Sequence, residues 1–243
     1  MLSKANAKFI KSLQVKKYRK QEQCFMIEGA KSVLELLRSD FEVVQVLGTR
    51  DFLESIPHGA PGERIEVSDA ELQGLGEFQT NNSALAIARM KPNNIISVAD
   101  QEFALVLDDI RDPGNLGTII RTADWYGIHK IIASAETADF YNPKVISATM
   151  GSFTRVNVFY TDLPQYLNGV RHKVFGAFLD GKNIHDVSFA SGGLVVIGNE
   201  SRGISPTLDR YITDKITIPR YGEAESLNAA IATAIICDNL RRG

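Results

Sequence analysis

The strongest constraint in this sequence is an alternation that begins at Phe103. Short apolar, β-rich runs recur at Phe103–Leu107, Lys130–Ala133, Val156–Tyr160, Val174–Leu179, Leu194–Ile197 and Ile216–Ile218, and helical patterns separate most of them. Strands that alternate with helices are joined by crossovers, which leave neighbouring strands parallel and both sheet faces covered. The expected fold is therefore an α/β domain on a parallel sheet.

The chain before this point has another rhythm. A basic first helix is followed by a strand, "CFMIEG", and a helix, "AKSVLELLRS", with Val33, Leu36 and Leu37 on one stripe. A strand "EVVQVLG", a helical patch near "SDAELQGL" and the half-buried alternation of "ALAIARM" complete a small mixed α/β domain. The segment that follows, "KPNNIISVADQE", mixes Pro, Asn and charges without a period. These changes predict a first domain over 1–92, a linker over 93–102 and a second domain over 103–243, which suits a chain of 243 residues.

Composition limits the partners. A hydrophobic share of 44%, 23% charged residues and a net charge of −2 describe an ordinary globular protein, so any nucleic-acid surface must be local. Such a patch exists: Lys4, Lys8, Lys11, Lys16, Lys17, Arg19 and Lys20 precede the first acid, Glu22. It reads equally as a phosphate-contacting surface or a solvated basic helix. Tyr18 and Arg19 beside it suit stacking on an unpaired base or covering a core edge. Cys24 and Cys237 are far apart and form no CxxC, which predicts neither a disulfide framework nor a zinc site and fits a reducing cytoplasm. The four histidines are scattered outside the motifs and read as structural or surface residues. The longest apolar stretch, Ala229–Cys237, falls short of the roughly 20 residues of a spanning helix. The basic, acid-free start resembles an organelle presequence in charge, but arginine and serine are sparse there, so that is the minor reading.

Three polar, glycine-bearing segments follow strands of the second domain. In "LDDIRDPGNLGTIIRTADWYG", Leu116, Ile119, Ile120 and Ala123 form the buried stripe of a helix, with Arg121 off it. Asn115 is the expected N-cap after a Pro113–Gly114 turn, and Gly127 the left-handed stop. The glycines read G-x-x-G and no Walker lysine follows, so a nucleotide loop and a merely well-capped helix both remain open. In "VVIGNESRGIS", Gly198 allows a close backbone approach before Asn199 and Glu200. In "ITIPRYGEAESLNAAIATAIICDNLRR", Pro219 ends a strand and Ser226 is the expected cap of a helix with Leu227, Ile231, Ala234 and Ile235 on one face. Open parallel sheets bind ligands beyond the carboxyl ends of their strands, so the three segments are expected to converge.

Together, "DPGNLGTIIRTADWYG", "VIGNESRGIS" and "IPRYGEAESLNAAIATAII" closely resemble the three signature motifs of the SpoU/TrmH family of RNA ribose methyltransferases, in order and spacing over 103–243. More loosely, "FIKSLQVKKYRKQEQCFMIEGAKSVLELL" is similar to the ribosomal-protein-like substrate-binding domain that precedes the catalytic domain in many members. The resemblance implies methyl transfer from S-adenosylmethionine to a ribose 2′-hydroxyl of structured RNA, with 23S ribosomal RNA ahead of transfer RNA. It also implies a cytoplasmic homodimer joined through the methyltransferase domain, whose fold carries a deep trefoil knot. Asn115, Arg121, Glu200, Ser226 and Asn228 match the polar active-site set, and Gly198, Ile218 and Leu227 match the cofactor-binding points, with Thr149, Met150 and Gly151 beside them. Lys11, Lys16, Lys17, Arg19 and Lys20 are the RNA-binding candidates. The family assigns proton removal to the arginine here numbered 121, whereas an arginine seldom accepts a proton near neutrality, which favours binding of an RNA phosphate or a charge effect on the hydroxyl while another group or water takes the proton. Asp109 stands where the family often has glycine, Ser201 does likewise in the second motif, and Thr149 and Met150 replace smaller residues. A silent RNA-binding protein of the same fold and a nucleotide-dependent enzyme on a similar sheet are the competing readings. The second lacks both G-x-G-x-x-G and a P-loop lysine.

Overall fold

The computed structural model describes residues 2–78, 81, 83–189 and 192–242. In chain order the elements are α1 (Lys4–Ser12), α2 (Lys16–Glu22), β1 (Cys24–Glu28), α3 (Ala30–Leu37), β2 (Val43–Gly48), α4 (Arg50–Ser55), β3 (Glu63–Glu66), α5 (Asp69–Leu75) and β4 (Ala84–Arg89). They continue as β5 (Phe103–Leu107), α6 (Pro113–Trp125), β6 (Lys130–Ala133), α7 (Pro143–Ala148), β7 (Asn157–Tyr160), α8 (Leu163–Leu167), β8 (Val174–Asn183), β9 (Gly193–Ile197), β10 (Asp214–Thr217) and α9 (Ala229–Leu240). Among the described residues no helix is long and apolar enough to cross a membrane. The chain forms two units: residues up to Pro92 with Asp139–Thr154, and Asn93–Ala138 with the chain from Arg155 onward.

In the first unit, β4 lies antiparallel between β1 and β2, and β3 joins β2 in parallel. Leu85 and Ile87 of β4 join Ile10 of α1, its C-cap Leu13, and Leu72 and Leu75 of α5 in one core, while α3 packs against β1, β2 and β4. Successive strand residues face opposite ways, so the alanines of "ALAIARM" occupy the other face. β4 is consequently buried from Ala84 to Ala88 rather than half-buried. α5 opens with a reciprocal box: Ser68 Oγ accepts the Glu71 N–H and the Glu71 carboxylate accepts the Ser68 N–H.

The basic start is two helices, not one, and Arg19 is the exception in its charge run. The lysines at 4, 8, 11, 16, 17 and 20 are exposed, whereas Arg19 is 1% exposed. Its Nη1 donates to the carbonyls of Leu13 and Gln14, and its Nη2 meets Asp139 Oδ2 at 2.6 Å. The guanidinium thus satisfies the carbonyls at the end of α1, so the expectation that Arg19 meets RNA is corrected. Asp139–Thr154, expected within the second domain, packs with the first unit: α7 lies on β1, and the Phe25 ring meets Tyr141 and Phe153 at centroid distances of 4.7 and 6.1 Å. Burial pushes the Tyr141 phenol up to about 12, and its oxygen accepts the Lys91 N–H.

The second unit contains the parallel sheet, in the order β10-β8-β9-β5-β6-β7, with every pair parallel. Its central strands, "FALVL" and "GLVVI", are buried along their whole length, as strands covered on both faces must be. The stretch 93–102 contains no helix or strand but is tied to this unit. Asn93 exchanges two hydrogen bonds with the Tyr160 backbone, Tyr166 Oη donates to Ile96 O, and Lys130 Nζ donates to Ser97 O. It is a strap along the sheet edge rather than a loose linker.

Candidate active site

The three motif segments meet at the carboxyl ends of β5, β9 and β10, and the way their helices begin decides what each side chain can do. α6 starts earlier than expected. Its N-cap is Asp112, whose carboxylate accepts the Asn115 N–H at 2.7 Å, and Pro113 takes the first helical position, where its missing N–H costs nothing. Asn115 therefore does not cap the helix, and its side chain is not spent on the α6 N-terminus. α9 starts later than expected. Asn228 rather than Ser226 is its cap, with Oδ1 accepting from the N–H groups of Ala230 and Ile231. Gly127 does end α6 as expected, at φ 65°, with the Ile128 N–H returned to Ala123 O.

That cap orients a polar chain. Because Asn228 Oδ1 is used by the helix, its Nδ2 is the group that donates to Asn115 Oδ1, at 2.9 Å. Asn115 Nδ2 in turn donates to Glu200 Oε1 at 2.5 Å. One residue from each motif is linked in a single donor-to-acceptor direction ending on a carboxylate. The loop that carries Glu200 is tight: Asn199 and Gly203 exchange backbone hydrogen bonds, and Asn199 Oδ1 accepts from the N–H groups of Ser201 and Arg202. A Cβ on Gly198 would fall 2.2 Å from the Gly203 carbonyl carbon, so the close approach expected there is to the loop's own backbone. Asp108 Oδ2 accepts the Ser205 N–H and Asn199 Nδ2 donates to Asp109 O, fastening this loop to the end of β5.

A cavity of about 1080 Å³ opens beside the chain, with Leu179, Ile197, Ile218 and Leu227 among its apolar walls and Glu200 and Ser226 among its polar ones. Gly198, Glu200, Ile218, Ser226 and Leu227 thus share one cavity, and hydrogen bonds join Asn115 and Asn228 to it through Glu200. Arg121 is not in this group: it is exposed on α6 and makes no hydrogen bond or ion pair among the described residues. Thr149, Met150 and Gly151 lie in the first unit, where Thr149 Oγ1 donates to Ile146 O and Met150 and Gly151 both have positive φ.

Sequence reasoning missed the cavity wall supplied by β8. The register of β8 against β10 jumps between Gly176 and Lys182, so residues 177–181 bow outward and bring Leu179 and Asp180 to the cavity. The sequence signal was "FGAFLDG", whose paired glycines mark such a bulge.

The family model described as "SpoU rRNA Methylase family" matches residues 102–238, more than half of the chain. The chain belongs to the SpoU rRNA methylase family. A second model, "MRM3-like substrate binding domain", matches residues 4–86. The chain is 31% identical to the 23S rRNA (guanosine(2553)-2′-O)-methyltransferase RlmP of Bacillus subtilis, over 95% of this chain and 94% of that one. Among solved structures it matches a Porphyromonas gingivalis chain assigned to the TrmH family of RNA methyltransferases, with a TM-score of 0.89, 35% identity and coverage of 100% and 99%. An AdoMet-bound rRNA methyltransferase from Sinorhizobium meliloti gives a TM-score of 0.89, 29% identity and coverage of 100% and 97%.

Proposed function

We propose that this SpoU-family protein transfers the methyl group of S-adenosylmethionine to a ribose 2′-hydroxyl of 23S ribosomal RNA in the cytoplasm. The observation that carries the reading is the Asn228–Asn115–Glu200 chain beside the cavity, in a family member whose relatives include 23S rRNA 2′-O-methyltransferases.

The cavity fits the cofactor. Its volume admits a ligand of that size, Leu179, Ile197, Ile218 and Leu227 suit an adenine, and the Glu200 carboxylate suits a cationic sulfonium nearby. Gly198, Ile218 and Leu227 would hold it. When bound, S-adenosylmethionine supplies an activated methyl group that needs no metal. What remains for the protein is alignment and management of a proton. Asn115, fixed at both ends of its amide, holds Glu200 in place, and Ser226 and Asn228 position the segment that faces the ribose. Arg121 is exposed with its guanidinium donors unspent among the described residues, which suits an RNA phosphate. The exposed lysines of α1 and α2 extend the phosphate-binding surface. Exposed Trp125 on α6 and Ile231 on α9 are apolar groups suited to a homodimer formed through the methyltransferase unit.

The test is to delete the gene, map ribose methylations across ribosomal and transfer RNA, and restore the lost mark with purified protein. The expected result is loss of one 2′-O-methyl group in 23S rRNA, restored by the wild type and restored at least ~100-fold more slowly by Asn115→Ala. Loss of a base methylation, or of a tRNA mark alone, overturns the assignment.

A further inference from the structure

Asp109 combines three features. Its backbone is left-handed, at φ 60°, a conformation that strains every side-chain-bearing residue, Asn and Asp least. That backbone is fixed from both sides, its N–H donating to Ser134 Oγ at 3.0 Å and its carbonyl accepting from Asn199 Nδ2 at 2.9 Å. Its nearly buried carboxylate, 13% exposed, faces two exposed arginines: Oδ1 lies 2.6 Å from Arg111 Nε and Oδ2 3.7 Å from Arg202 Nη1. The arginine side chains are 56% and 71% exposed.

Ion pairs with such exposed partners add little to stability. A glycine would adopt the same backbone without strain. What the carboxylate does is hold two like charges close together. Arg111 approaches through Nε, so both of its Nη groups remain unspent toward Asp109, and the trio carries a net charge of +1. Its place is specific: Arg111 immediately precedes the Asp112 cap of α6, four residues before Asn115, and Arg202 lies two residues beyond Glu200 on the cavity wall.

We propose that Asp109 is a positioning residue for the RNA, holding Arg111 and Arg202 side by side as a grip for a phosphodiester next to the methylated ribose. The inference rests on the function proposed above. A phosphodiester has one negative charge and two outward oxygens, which two guanidinium forks with free N–H groups match.

The test uses Asp109→Asn, which tolerates the left-handed backbone and removes the charge, and Asp109→Gly, which relieves the strain and removes the side chain. The probe is unmodified 23S rRNA transcript, read by steady-state kinetics and, independently of turnover, by equilibrium binding across a salt series. Both variants are expected to raise the RNA KM and Kd about tenfold while leaving kcat and the S-adenosylmethionine KM within about twofold. Asp109→Gly is expected to melt no lower than the wild type, which separates positioning from folding. In an Arg111→Ala, Arg202→Ala background, Asp109→Asn is expected to add no further loss. Unchanged RNA KM and Kd in both variants, or an undiminished effect in the arginine-free background, overturns the proposal. If the wild type binds the transcript but transfers no methyl group, the function falls while the binding series still decides Asp109's role. A wild type that binds no RNA overturns both.

Discussion

Arg19 and Arg111 each meet an aspartate at 2.6 Å, yet one is consumed by the fold and the other is left to the solvent. The Arg19 side chain is 2% exposed and donates to two main-chain carbonyls as well as Asp139. Arg111 is mostly exposed and gives Asp109 only its Nε. An arginine is available to a ligand according to how many of its five donors the protein leaves unspent, and sequence neighbourhood does not reveal that number. Arg19 sits among lysines that look like an RNA-binding run and is not one of them.

The comparison breaks most sharply at Arg19. Replacing it by Ala leaves Asp139 and two carbonyls without their partner, and urea unfolding is expected to show a loss of about 3–5 kcal/mol. An unchanged midpoint would return Arg19 to the surface set.

Lys16, Lys17 and Lys20 stand on the other side of the contrast. All three are exposed and form no ion pair among the described residues. Their joint replacement by Ala is expected to change stability by less than about 0.5 kcal/mol and to lower the logarithmic salt slope of RNA binding by about two to three. A salt slope equal to the wild type's would make them a solvated face.

The smallest effect sharpens the distinction between a buried charge with a counter-ion and one without. Glu28 has no cation partner among the described residues; burial pushes its carboxyl above the ordinary 4.5, against the pull of the Glu77 and Phe78 N–H groups. A raised acid binds its proton more tightly in the folded state, so this contribution is fully present below the unfolded pKa and is lost as pH rises through the folded one. Wild-type stability is expected to fall through this group as pH rises above the ordinary carboxylate value of 4.5, and Glu28→Gln to flatten that fall in urea midpoints measured against pH. An identical slope in the variant would remove Glu28 from the account.

Much of the second unit was legible because its signals are local. The runs at Phe103, Lys130 and Leu194 are apolar enough to be strands only in a covered parallel sheet, and the structure has them there. The short, exposed β3, "ERIE", lacks that pattern and was missed. Helix starts were displaced for a related reason. Asp112 and Asn115 in one segment, and Ser226 and Asn228 in the other, are all good caps, and local preference cannot choose between neighbours. The choice has consequences. Had Asn115 capped α6, it could not have linked Glu200 to Asn228 as it does.

By itself the sequence determined the α/β class, the six parallel strands and the three segments at their carboxyl ends, because periodicity and punctuation act over a few residues at a time. Tertiary structure alone decided that Asp139–Thr154 packs with the first unit, that Arg19 turns inward, that β8 bows out to wall a cavity and that one aspartate faces two arginines. Each of those depends on at least one partner distant in the chain. Burial and hydrogen bonding are properties of the assembled neighbours, and the order of residues along the chain does not list them.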